Sequence, residues 1–219
     1  MKKFELTENC KIYNQKKLFQ IRALRDLDCG VKAGDFGGYV ENECNLDQFG
    51  DAWVFGNARV FDSARVSGSA RVFGDAKICG SARVFGNAKI CGCAQVFGKA
   101  EIYDCALVHD NAQIFGDAWV FSNALIGGNA RVGGTAQVGG NARVFSNDDI
   151  LQITGLGTYG RTTTAFNTRS GVHVNCGCFR GDINQFRKRV EQTRDGKVRA
   201  EYLKFAELVE IYFSKGENA

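Results

Sequence analysis

The sequence predicts a mainly β protein built on a parallel β-helix, and three observations predict it. A six-residue phrase of the form aliphatic, variable, Gly, small polar, Ala, variable recurs through the middle of the chain, its aliphatic position running from Val54 to Val144 without a gap. Two residues before each aliphatic stands an alanine, from Ala52 to Ala142, also without a gap. Proline is absent while glycine supplies 27 of 219 residues, so the corners must be made by Gly, Asn and Asp.

Ala and Val two apart face the same way on a strand, so each phrase is a short strand with a narrow apolar inner face. The Gly and the Asn or Asp after it supply a corner. Three such sides close a triangle, and identical positions three phrases apart stack at the ~4.8 Å spacing of neighbouring strands. Roughly five coils would make a prism about 25 Å long at that spacing.

The open ends of such a coil expose unpaired strand edges and need covering. Residues 1–50 are expected to form an N-terminal β cap and entry coil, with "LFQIRALRDL" (Leu18 to Leu27) a strand paired with "KFEL". The phrase slips by two residues near Asp47 and Gln48. Residues 51–149 are the repeat helix, which decays where Asp148 stands in place of Ala. Residues 150–219 read as a small α+β domain of order β-β-β-α-α. Its strands are "DILQIT", "RTTTAFNT" and "GVHVNC". Asp182 then caps a helix with Ile183, Phe186 and Val190 on one face, and a second helix carries Tyr202, Phe205, Val209 and Tyr212.

On these residues the chain resembles the hexapeptide-repeat family of β-helix proteins. "VKAGDFGGYVENE" (Val31 to Glu43) is similar to the entry segment of bacterial and phage members classed as hexapeptide transferases. The resemblance implies a left-handed helix and a trimer. Many members are acyltransferases that use acyl-CoA, with a histidine as general base in a groove between subunits. Here the aliphatic and the Gly are separated by one residue, as in "ICG" and "VFG", and the long loop that often covers the acceptor is missing.

A core of Ala and Val leaves no internal cavity, so function must lie on faces, edges or caps. The outward residue between Ala and Val reads Arg59, Arg65, Arg71, Lys77, Arg83, Lys89 before Gln95 ends the run. These six form either an anion-binding face or a solvated face that blunts aggregation. The residue after each aliphatic is often Phe, as at Phe55, Phe61, Phe73, Phe85, Phe97, Phe115, Phe121 and Phe145. Six of them, Phe55, Phe73, Phe85, Phe97, Phe115 and Phe121, are the expected interface of a homo-oligomer; alternatively the rings fold over neighbouring coils.

The chain has two histidines, His109 and His173. His109, followed by Asp110, is the base of an acyltransferase or an ordinary surface residue. His173 with Cys176 and Cys178 lacks paired Cys spacing, so no metal site is expected. The glycines of "GLGTYGRTTT" fit G-x-G-x-x-G, but a Thr-rich strand follows instead of a helix, and the dinucleotide reading fails. Gly157, Gly160, Arg161, Thr162, Thr163 and Thr164 could still hold a phosphate through backbone N–H groups and a guanidinium fork, or be a plain glycine turn.

The net charge of +4 is too small for a dedicated nucleic-acid binder, and no apolar run is long enough to span a bilayer. The nine cysteines are odd in number and sit mostly inside repeats, as reduced thiols of a cytoplasmic protein would. The resulting expectation is a non-catalytic oligomeric binding protein, of bacterial or phage type, for a nucleotide, another phosphorylated ligand or a host partner. It needs no cofactor. The alternatives are an acyl-CoA-dependent acyltransferase and a structural assembly module.

Overall fold

The computed structural model describes residues 2–214 and, of Arg161, the backbone alone. Its centre is a parallel β-solenoid of two-residue strands, from Trp53–Val54 (β4) to Arg143–Val144 (β19). They stack into three sheets, one per side of the triangle. The strand at Arg59 pairs with that at Lys77, Arg65 with Arg83, and Arg71 with Lys89. Every alanine and aliphatic of the phrase, from Ala52 to Val144, is buried.

Three backbone hydrogen bonds tie a typical phrase to the coil above. In one phrase Asp75 N donates to Gly92 O, Lys77 N to Ala94 O and Cys79 N to Val96 O, at 2.8–2.9 Å. The corner residue two after the aliphatic is left-handed from Gly56 to Gly140, with φ of 72° at Gly74 and 66° at Gly80. Glycine tolerates that conformation without a Cβ penalty. Three corners hold aspartate instead, and each carboxylate accepts the corner N–H one coil above. Asp62 takes Gly80 N at 2.9 Å, Asp104 takes Ser122 N at 3.1 Å, and Asp110 takes Gly128 N at 3.0 Å.

The stack makes about six turns rather than five, because the entry segment already belongs to it. Phe36–Val40 (β3) pairs in parallel with the strand at Arg59–Val60, and Leu46 bridges Val66. Val40 lies 20 residues before its partner Val60 but Val54 only 18 before Val72, which places the two-residue slip between Leu46 and Val54.

The N-terminal cap is a longer hairpin than expected. Phe4–Tyr13 (β1) and Lys16–Ala23 (β2) pair antiparallel through Asn14 and Gln15, both at positive φ, and β2 then pairs with β3. Gln48, in the slip, holds the start of β1 by accepting from Lys3 N at 2.8 Å and donating to Phe4 O at 3.1 Å. Lys3 plugs the open coil, its buried ammonium donating to Ala52 O at 2.9 Å. Burial without a bonded carboxylate pushes the Lys3 ammonium down to about 8.

The C-terminal part has four strands rather than three: Ile150–Leu156 (β20), Arg161–Thr168 (β21), Gly171–Cys176 (β22) and Phe179–Asp182 (β23). The unexpected β23 is a four-residue edge strand that runs straight into the helix Ile183–Thr193 (α1), whose N-cap is Asp182 as expected. Gly196–Ser214 (α2) follows. One face of this sheet sits on the last coils, with Phe166 in the solenoid core and Asn175 Nδ2 donating to Gln137 O at 2.9 Å. The other face packs Ala165 and Val174 against Phe186, Val190, Tyr202, Phe205 and Val209 of the helices.

The aromatic columns differ from an outward stripe. Phe85, Tyr103 and Phe121 stack ring on ring along the axis with centroids 5.1 and 5.4 Å apart, as do Phe97 and Phe115 at 5.4 Å. Phe61 and Phe121, expected outside, are buried at 6% and 3% exposure. Tyr13 of the hairpin covers Phe61, and the Arg180 guanidinium lies 4.5 Å from the Phe121 centroid. Each ring leans toward the next coil, where Gly127, Gly133 and Gly139 leave room for His109, Phe115 and Phe121.

Gly139→Ala puts a methyl into the Phe121 ring at a position with no positive-φ demand, so it should destabilise by about 1–3 kcal/mol through overpacking. A lowered denaturation midpoint that recovers in Gly139→Ala with Phe121→Leu checks it. For Lys3, the depressed folded value means the unfolded chain holds the proton over the window from about 8 to the ordinary 10.5, so stability should rise with pH there. The rise is at most about 3 kcal/mol, at 1.36 kcal/mol per pH unit. Thermal unfolding of Lys3→Met from pH 7.5 to 10.5, relative to the parent, should lack that increment.

Candidate functional site

The six basic residues of the early coils do not share a face. Arg59 and Lys77 lie on one side of the prism, Arg65 and Arg83 on the second, Arg71 and Lys89 on the third. Arg59 and Lys77 lie 4.6 and 5.4 Å from the Tyr13 ring centroid, and Arg83 reaches Glu101 at 3.6 Å. These contacts offset the repulsion of stacked like charges.

The glycine and threonine segment is likewise not brought to one point. The turn after β20 is packed on α2: Gly157 N donates to the Glu201 carboxylate at 2.9 Å, and a Cβ at Gly157 would overlap the Tyr202 hydroxyl. Strand alternation divides the threonines. Thr162 bonds Thr135 of the solenoid and Thr154, whereas Thr163 is buried on the helix side and donates to Cys176 Sγ at 3.3 Å. Thr164 is buried too, and the Arg161 side chain lies outside the described residues. Gly160, at φ 57°, ends the turn.

His109 belongs to a column with Gly127 above it and Phe145 beyond, edge-on at 6.0 Å. Its Nδ1 lies 2.9 Å from Asp110 Oδ2, and 22% of the side chain is exposed. The pairing follows from the corner: the left-handed Asp110 turns its carboxylate to both Gly128 N and His109. Those two hydrogen bonds, the backbone one first, hold the Asp110 carboxyl below the usual carboxylate range. His173 Nδ1 is buried without a hydrogen-bond partner on β22. Among the described residues no three His, Cys, Asp or Glu side chains converge as metal ligands.

What the structure does assemble is a cavity of about 420 Å³ at the junction of β22, β23 and α1. Its apolar floor is Phe179, Phe186 and Val190, and its rim carries Arg180, Arg189 and Arg194 with Cys176, Cys178, Thr193 and Tyr202. Among the described residues no carboxylate lines it. The three arginines are exposed, and among the described residues none of them forms an ion pair. The local sequence builds this in steps. Phe186 and Val190 face the sheet at helical spacing, Arg189 and Thr193 sit beside them one turn apart, and the chain leaves the helix at Arg194, whose N–H donates to Val190 O at 3.0 Å. Gly177, at φ 60°, turns β22 back into β23 and so brings Cys176 and Cys178 to the cavity mouth.

The cluster has no linear signature in the sequence, because its arginines come from β23, α1 and the residue after α1. The one signal available was Arg189 and Thr193 flanking the apolar pair Phe186 and Val190. Guanidinium groups present planar forks of donors suited to carboxylate and phosphate oxygens, so the arrangement suits a compact anion with an apolar portion.

A family model of the YdcK beta-solenoid repeat matches residues 52–68. That stretch spans three phrases of the solenoid, β4 to the strand at Arg65–Val66, and the likeness is one of repeat architecture. No curated protein matches the chain.

Proposed function

We propose that the protein is a non-catalytic binding protein whose C-terminal part holds an anionic small molecule, of the nucleotide or phosphorylated-metabolite class, in the arginine cavity. The observation that carries this reading is the meeting of Arg180, Arg189 and Arg194 around about 420 Å³ with, among the described residues, no carboxylate in the lining. A volume of that size holds a small organic ligand, and an unbalanced positive rim over an apolar floor favours one with a charged end. In this reading the solenoid is a rigid support, and the protein works as a cytoplasmic homo-oligomer, a trimer by family resemblance. The outward rings of Phe73 and Phe145, 36% and 39% exposed, support self-association.

A second reading rests on the His109–Asp110 pair. An imidazole oriented through Nδ1 by a carboxylate is the arrangement of a general base, and an acyltransferase acting from acyl-CoA would use it. Acyl transfer that disappears in His109→Ala would favour that reading over the binder.

Calorimetric titration with inorganic pyrophosphate and with ADP tests the binding reading. Binding should weaken about 10- to 100-fold in Arg189→Ala or Arg194→Ala, as loss of one charge-assisted hydrogen bond of about 1.5–3 kcal/mol requires. It should also weaken with added salt. No heat with either anion, or binding indifferent to both substitutions, overturns the assignment. Native mass spectrometry of the same sample reports the subunit number.

A further inference from the structure

The arginine cavity contains two thiols that anion binding does not use. Cys178 is exposed at the tip of the β22–β23 hairpin, and Cys176, two residues earlier, is half-buried and accepts the Thr163 hydroxyl at 3.3 Å. Both line the same cavity as Arg180, Arg189 and Arg194. Another exposed cysteine, Cys44, sits where charges balance, in a cavity lined by Glu43, Asp47 and Arg65, with Lys2 paired to Glu43 at 3.0 Å.

We propose that Cys178 is a modification site for anionic low-molecular-weight disulfides, which the three guanidiniums draw into the cavity. The inference rests on the same cavity attracting anions. It adds a covalent outcome. Cys178 gives its proton to solvent, its sulfur bonds to one sulfur of the incoming disulfide, and the reagent's S–S bond breaks. The other half leaves as a thiolate that takes up a proton. One disulfide is consumed and one formed, so no external oxidant or reductant is required. Cys178 is the attacking residue because it is exposed, whereas Cys176 is half-buried and tied to Thr163. The charge distribution supplies selectivity: a cleft of one sign raises the local concentration of oppositely charged reagents and their on-rates by about 10- to 1,000-fold.

The test uses the full-length protein with all its cysteines and two aromatic disulfides of opposite character. One is the dianionic 5,5′-dithiobis(2-nitrobenzoate) and the other the neutral 4,4′-dithiodipyridine. Peptide mass spectrometry gives the rate at each cysteine. The ratio of anionic to neutral rate should be at least about tenfold higher at Cys178 than at Cys44 at low ionic strength, and should collapse in ~0.5 M salt. Arg189→Ala and Arg194→Ala should each lower the ratio at Cys178 and leave Cys44 unchanged. Pyrophosphate should protect Cys178 alone. Equal ratios at the two cysteines overturn the inference, and if pyrophosphate still binds by calorimetry the anion-binding reading survives. Equal ratios without pyrophosphate binding remove both. A raised, arginine-dependent ratio without calorimetric binding supports the modification site and removes the tight-binding reading.

Discussion

Everything in this molecule depends on the vertical hydrogen-bond ladder between successive coils. Each phrase commits its strand N–H groups to carbonyls of the coil above, as Lys77 N does to Ala94 O at 2.9 Å. The ladder holds only if all coils have the same outline. That demand fixes alanine at the inner corner, a β-branched or other aliphatic residue on the inner face, and a left-handed residue at each turn. The aspartate corners obey it as well. Asp62, Asp104 and Asp110 adopt the unfavourable conformation and offset its cost by anchoring the N–H of the corner above.

An interior so filled has nowhere to put a ligand, and the two ends have become the specialised regions. The N-terminal end is closed by an antiparallel hairpin and a buried lysine, which satisfies carbonyls of the open coil at the cost of burying a cation. The C-terminal end is closed by a sheet with two different duties. Phe166 and Asn175 face the solenoid, Ala165 and Val174 face the helices, and the arginine cavity opens where the sheet edge and the first helix part. Arg180 belongs to both sides. It lines the cavity and caps the Phe121 ring, so the end of the aromatic column and the rim of the cavity share a side chain.

The solenoid was legible because its rule is local and repeats: alanine and aliphatic two apart encode a face, and glycine encodes the corner. Pairs such as Arg59 with Lys77 could be assigned from spacing alone. The fate of the rings was not so legible. Whether Phe121 faces water depends on Arg180 of the last sheet and on the missing Cβ of Gly139, neither of which is near it in sequence. Strand β23 escaped notice because Gly181 interrupts its four residues and Asp182 serves also as helix cap. The phosphate reading of the glycine segment took Thr162, Thr163 and Thr164 as a group, although residues in a strand alternate sides. The arginine cavity has no linear pattern because three elements contribute to it.

The pairing of rings with glycines has a further meaning. Phe115 leans over Gly133 and Phe121 over Gly139, each partner eighteen residues further along the chain. Gain or loss of a single phrase would keep the inner face intact, yet it would turn every later residue onto the adjacent side of the prism. Rings would then meet side chains where they now meet glycine. The molecule can therefore change length cleanly only by whole coils, and its distance between caps comes in discrete steps of one turn.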